Sequence, residues 1–396
     1  MRKGFFLVIG FLISPVDIHA QPEWSRLQPA FQTLIFPLQP QHTHASSIVS
    51  LPNGDILAAW YQGSGEREAN DVRIMGSRLK KGSKLWSKPF LMADSPDLPD
   101  CNPVLFLNGK NKLFLVWIVV LAHRWEFSLL RIRTSVDYLL GNGAPLWDWQ
   151  DELFLHPDQR FARELASKYR GELKKGSDSI SFASRFGDSL IAASKDLSKT
   201  GIGWMTRIQP LRLSNGRILL PLYSDGFSMS LIAISDDDGG TWRPSLPIVG
   251  RGNVQPALVQ MKNGHLVAYM RDNGEEPNRV QISESSDSGF SWTAAGKSEI
   301  PNTASVELLK LQDSRWAFVG DDVDDGRYRL SLYISDDEGK TWKGKWALEQ
   351  VPKGKGSFSY PCIIQTADGF LHISYSYSLP GQGESIKYLE VNPKSL

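Results

Sequence analysis

Three arginines stand beside strand-like runs of the chain: Arg207, Arg271 and Arg327. A guanidinium donates paired hydrogen bonds in a rigid fork, so several together suit a carboxylate. Acids gather in one polar stretch, GSGEREANDVRI, residues 63–74, which holds Glu66, Glu68 and Asp71. A loop carboxyl of this kind can protonate a leaving group, although Asp71 is equally suited to bracing a turn. Glu307, between Val306 and Leu308, is a further acid. Tyr360 and His44 are candidates for nucleophilic attack or proton transfer, and Asn102, Gln209, Gln255 and Ser305 for neutral hydrogen bonding. Taken singly, each has an ordinary explanation: a solvated acid, an ion-paired arginine, a packing tyrosine. Their positions in a repeat make them a set.

The repeat shows first in three octapeptides, SDDDGGTW ending at Trp242, SSDSGFSW ending at Trp292 and SDDEGKTW ending at Trp342. Their spacing is constant, and a period of this length marks a propeller or a solenoid. In each, Asp and Ser can bond backbone amides, Gly permits a left-handed turn and Trp packs between sheets. The ligand spacing of a calcium loop is absent, so the octapeptide reads as a structural turn and no metal is expected.

Ahead of each octapeptide runs strand, tight turn, strand, then a strand leading into it, as in VQPALVQMKNGHLVAYMRD, residues 254–272. The same unit recurs at residues 45–62, 101–120 and 360–377, which makes six. The sixth lacks its outer strand, and a strand near residues 31–37 is expected to supply it and close the ring. Between Trp149 and Trp204 the alternation stops. Phe161, Leu165, Tyr169 and Leu173 recur every four residues, which predicts a helix, and a second short helix is expected over residues 189–197. The fold class expected is therefore all-β, a six-bladed β-propeller with a helical insertion in the third blade.

In a propeller the inner strands begin near the axis at one mouth. Aligning the six units puts His44, Asn102, Gln209, Gln255, Ser305 and Tyr360 on that ring. Arg207 precedes the first strand of blade three, Arg271 ends the second strand of blade four and Arg327 opens the third strand of blade five. The acidic stretch follows the second strand of blade one.

The rest of the composition narrows the partners. With 44 basic and 43 acidic side chains, the chain gives no reason to expect nucleic acid or a membrane surface. Met1-Arg2-Lys3, an apolar run over 4–13 and the small residue Ala20 read as a signal peptide over residues 1–20, leaving 21–396 as one propeller, secreted or periplasmic. No segment is long enough for a membrane span. Cys101 and Cys362 are compatible with one disulfide or with two buried thiols.

The three octapeptides resemble the Asp boxes of the sialidase superfamily, and the six-unit register covers nearly all of residues 21–396. The resemblance implies an exo-acting glycoside hydrolase without cofactor that takes an acidic glycan or oligosaccharide. Sialidases hold the sugar carboxylate with an arginine triad and use a tyrosine nucleophile, an exception among glycosidases. Tyr360 falls at that tyrosine, and Arg271 and Arg327 at the second and third arginines. The first arginine belongs to an Arg-Ile-Pro motif, where this chain has His44-Ala45-Ser46. The tyrosine's glutamate partner is replaced by Gln255. Glu66, Glu68 or Asp71 would be the acid. Two other outcomes fit these departures: a lyase acting on a uronic-acid glycoside with His44 and Tyr360 as base and acid, and a glycan-binding propeller without turnover.

Overall fold

The computed structural model describes residues 25–171 and 180–396. The segment read as a signal peptide, residues 1–20, lies outside them. Six antiparallel sheets of four strands follow one another along the chain. Their inner edges are His42–Ser50, Asp100–Leu107, Leu211–Arg212, Asn253–Gln260, Glu307–Lys310 and Ser357–Gln365. The outer strand of the sixth sheet is Phe31–Leu34, paired antiparallel with Gly383–Val391. The ring therefore closes as expected. One addition was not legible in the sequence: Ser25–Arg26 extends blade five as a short parallel edge on Gly344–Gln350.

Five of the six second strands read as largely continuous apolar runs; only Leu371–Leu379 of blade six alternates. In Leu113–Val120, LFLVWIVV, every residue is buried. Both faces of such a strand are covered by neighbouring blades, so both must be apolar. Trp60, Trp117 and Trp316 lie wholly inside this inter-blade core.

The octapeptides are the outer turns. Asp237 accepts from the Ser235 hydroxyl, the Thr241 amide and the Thr241 hydroxyl, at 2.7–2.8 Å. The same pattern joins Asp287 to Ser285 and Ser291, and Asp337 to Ser335 and Thr341. Gly239 sits at φ +97°, and a side chain there would meet the Phe114 ring at 2.7 Å.

The helical insertion lies between the outer strand of blade two and the first strand of blade three. Helix α1 (Gln159–Gly171) buries Phe161 and Leu165. Tyr169 donates to the Gly250 carbonyl at 3.0 Å, and Leu173 is outside the described residues. Phe161 stands edge-on to Trp204 and Phe227. The second helix differs from expectation. It spans Ile180–Ala193, and Asp196 then caps a separate turn, Leu197–Thr200, by accepting from the Ser198 amide. The capping preference of Asp starts a new turn inside the span expected as one helix. Cys101 and Cys362 are both free and buried.

Candidate active site

Four inner strands carry the same irregularity. Their ladders shift register between His44 and Ser47, Cys101 and Val104, Val254 and Ala257, and Ser359 and Cys362. At each bulge one residue is left-handed: Ala45 at φ +56°, Asn102 at +51°, Gln255 at +58° and Tyr360 at +57°. A non-glycine residue in this region is uncommon and is held there by its surroundings. A β-bulge re-aims a side chain, and here three of the four aim a polar or phenolic group at the axis. Ala45 is thus the register partner of Tyr360 in blade one, so the sequence alignment of His44 with that ring slipped by one residue.

The bulges open onto a cavity of ≈ 510 Å³ at the mouth. Tyr360 lines it, and its phenolic oxygen accepts from Arg271 Nη1 at 3.1 Å and from Gln255 Nε2 at 3.3 Å. The Arg327 guanidinium stands 5.3 Å from the centre of the same ring, and its Nη1 reaches the Ser359 hydroxyl at 3.4 Å. Burial raises the pKa of the phenol, but the Arg271 and Arg327 charges and the Gln255 hydrogen bond outweigh it, and the net shift is downward.

His44 lines the wall beside Tyr360, with ring centres 4.1 Å apart. Burial first, then the Arg327 charge, pushes its pKa well below the ordinary histidine value, so it is neutral at neutral pH. His42, one turn of the pleat away, behaves oppositely. Burial lowers its pKa, but the hydrogen bond and charge of Glu384, 3.1 Å distant, reverse that and raise it. Glu66 also lines the cavity and accepts from Tyr61 at 2.5 Å. Asn102 donates to the Tyr223 hydroxyl at 3.2 Å on the same wall.

The other sequence candidates lie elsewhere. Asp71 is spent on the Ser64 amide and hydroxyl at 2.8–3.1 Å and does not line the cavity. Glu68 is exposed beside Arg67. Gln209 does not line the cavity and donates to the Ile48 carbonyl at 2.6 Å. Glu307 and Ser305 are buried in blade five away from the cavity, where burial raises the Glu307 pKa to about 8. Arg207, expected at the substrate, is buried behind Tyr360 rather than in the cavity. Its guanidinium is taken up by the Pro361 and Ser46 carbonyls, partners that strand order alone does not give.

Sequence reasoning missed Asp225, Trp125, His42 and Glu384, all of which line the cavity. Asp225 is open to the cavity, yet desolvation by the protein around it raises its pKa against the pull of Arg271. It directly follows the second strand of blade three, much as Arg271 ends that of blade four, so a survey of every second-strand exit finds it. Glu384 reaches the site only because blade six closes against blade one.

A family profile described as "BNR repeat-like domain" matches residues 54–167 and 186–373. An anhydrosialidase from Macrobdella decora is 24% identical over 181 residues, 40% of this chain and 23% of that protein. The chain therefore matches less than a quarter of that relative's length. Among solved structures, a protein of unknown function from Dyadobacter fermentans superposes with TM-score 0.65 at 17% identity, covering 92% of this chain and 98% of that one. The NanB sialidase from Streptococcus pneumoniae superposes with TM-score 0.64 at 12% identity, covering 92% and 71%. By its profile match, its repeated octapeptides and its six-bladed ring, the chain belongs to the BNR repeat-like domain family and is a member of the sialidase superfamily.

Proposed function

We propose that the protein is an exo-acting glycoside hydrolase of the sialidase type, acting on a carboxylated sugar at the end of a glycan. The observation that carries this reading is the Tyr360 oxygen, which accepts two hydrogen bonds, one of them from a guanidinium. Two donors on one phenolic oxygen favour its anionic form, which is the nucleophile. Arg271 and Arg327 hold the substrate carboxylate beside it, and His44 takes the place of the missing first arginine. Asn102 and Gln255 hydrogen-bond the sugar from the walls. The Tyr360 oxygen bonds to the anomeric carbon as the glycosidic C–O bond breaks, and Glu66 gives its proton to the departing oxygen. Water then attacks the same carbon, Glu66 takes a proton back and the phenolate leaves. Gln255 cannot serve as base for Tyr360, so the phenol loses its proton through the electrostatics of its arginines.

A second reading is supported by the contact of neutral His44 with the Tyr360 ring. In a uronic-acid lyase His44 would remove the ring proton next to the carboxylate, and Tyr360 would protonate the leaving oxygen. The donors crowded on the Tyr360 oxygen disfavour it as an acid. Export, inferred from residues 1–20, belongs to the same proposal, since glycan ends are met outside the cytoplasm; fractionating cells that express the full chain tests it.

A screen of acidic oligosaccharides tests the reaction. A saturated monosaccharide as product is expected. An unsaturated, ultraviolet-absorbing product identifies the lyase, and binding without product identifies a lectin-like module. Tyr360→Phe is the control. It should fold and bind, and lose turnover by about a thousandfold or more. Retained turnover in that variant would remove Tyr360 from the mechanism.

A further inference from the structure

Arg207 comes from the segment ahead of blade three and is 2% exposed. Its Nη2 donates to the Pro361 carbonyl at 2.7 Å and its Nη1 to the Ser46 carbonyl at 3.3 Å. These two carbonyls hold one register position in two blades. Each belongs to the residue after a left-handed one, Tyr360 in blade six and Ala45 in blade one. One side chain from across the axis therefore clamps both bulges. The same guanidinium lies 4.9 Å from the centre of the Tyr360 ring. Glu307, buried nearby, feels the Arg207 charge, but its Oε2 has no hydrogen-bond partner among the described residues. A buried cation bonded to carbonyls is an expensive way to fill space, and an apolar side chain of similar volume would cost less. Its placement is explained by what it touches.

Resting on the reading of Tyr360 as the reactive group, we propose that Arg207 is a positioning residue: it clamps the Tyr360 bulge, sets the ring against Arg271 and stabilises the phenolate through the ring face. Arg271 from blade four, Arg327 from blade five, His44, Tyr61 and Glu66 from blade one and Tyr223 from blade three also face Tyr360. Arg207 differs from the two cavity arginines in having no access to substrate, so its influence runs through Tyr360.

The test uses the whole chain carrying Arg207→Gln or Arg207→Lys. Gln keeps a donor for one carbonyl and loses the charge, whereas Lys keeps the charge and loses the fork. The Tyr360 titration is the ultraviolet phenolate difference between each protein and the same protein with Tyr360→Phe. In Arg207→Gln the midpoint should rise by about one pH unit, and in Arg207→Lys, which keeps the charge but loses the fork, by about half as much. On an acidic glycoside that is turned over, kcat of the Gln variant should fall about tenfold with KM changed by less than about twofold. A folded Arg207→Gln protein whose Tyr360 titrates at the unaltered pH overturns the proposal, as does a loss confined to KM. If the Gln variant does not fold, Arg207→Lys decides: an unaltered midpoint together with an unaltered kcat overturns the proposal, and a smaller rise with reduced kcat supports it. The titration needs no turnover, so a chain that cleaves no sugar would defeat the hydrolase reading and leave this inference to be judged by the midpoint alone.

Discussion

At the scale of single residues, the site concentrates cations around one phenol, while Glu66, Asp225 and Glu384 line the same cavity. Arg271 has two tasks in this arrangement. It donates to the Tyr360 oxygen, and it faces the cavity where a carboxylate would lie. Arg271→Ala should therefore weaken binding of an acidic sugar by about 2 kcal/mol, or roughly thirtyfold, since a charge-assisted bond is lost from a buried place. The same variant should raise the pH at which Tyr360 titrates. Calorimetry against the free acid and its methyl ester checks the first part: the unaltered protein should prefer the acid, and the preference should shrink in the variant. Equal affinity of the unaltered protein for acid and ester would rule out carboxylate recognition. His44 contributes differently. Its pKa is held well below the ordinary value, so in the proposed reaction it meets the sugar carboxylate as a neutral ring in place of a fixed charge.

At the scale of elements, the octapeptide turn and the inserted helices do separate work. The Asp337 carboxylate is stabilised by hydrogen bonds from the Thr341 hydroxyl, the Thr341 amide and the Ser335 hydroxyl, which lower its pKa from 3.8 to about 2. A folded-state value below the unfolded one means that the bound carboxylate stabilises the fold fully above pH 3.8. That contribution is lost as pH falls from 3.8 towards 2. Asp337→Asn should unfold more easily at neutral pH and show a flatter loss of stability across that acid window, as followed by denaturant melts at stepped pH. The helices act on the site from behind. Phe161 of α1 packs on Phe227, two residues beyond Asp225. Phe161→Ala should cost about 3–4 kcal/mol by leaving a cavity among Trp204, Phe227 and Leu165. A melting temperature unchanged within error would show that α1 does not brace this loop.

At the scale of the whole molecule, closure decides both stability and chemistry. Phe31–Leu34 covers the outer edge of Gly383–Val391, and residues 25–26 extend blade five. A chain shortened to begin at Ile35 loses both edges. It should melt several degrees lower and associate at higher concentration, because bare strand edges recruit one another. Sedimentation at two concentrations checks this, and a monomer of unaltered melting temperature would contradict it. The same closure brings Glu384 of blade six against His42 of blade one, on the rim of the cavity. Among the described residues no helix is long and apolar enough to cross a membrane.

The parts of this protein legible in its sequence are those with local causes. Octapeptide turns depend on Ser, Asp, Gly and Trp within eight residues, so three of them announced the repeat, and the strand, turn and strand ahead of them, found six times, gave six blades. The apolar spacing of Phe161, Leu165 and Tyr169 marked a helix for the same reason. Tyr360, Arg271, Arg327, Asn102 and Gln255 were placed near one mouth because each lies at a fixed step from its own blade's turn. Depth and direction were not local. Whether an arginine lines the cavity or backs the tyrosine depends on how far its segment sinks towards the axis, and only packing of the blades settled that for Arg207. The left-handed bulges at Ala45, Asn102, Gln255 and Tyr360 shift each strand by one residue, which reversed the facing of side chains that simple alternation would predict. Asp225, His42 and Glu384 joined the site through contacts between blades distant in sequence. Such contacts follow from the curvature of the closed ring, which no window of residues contains.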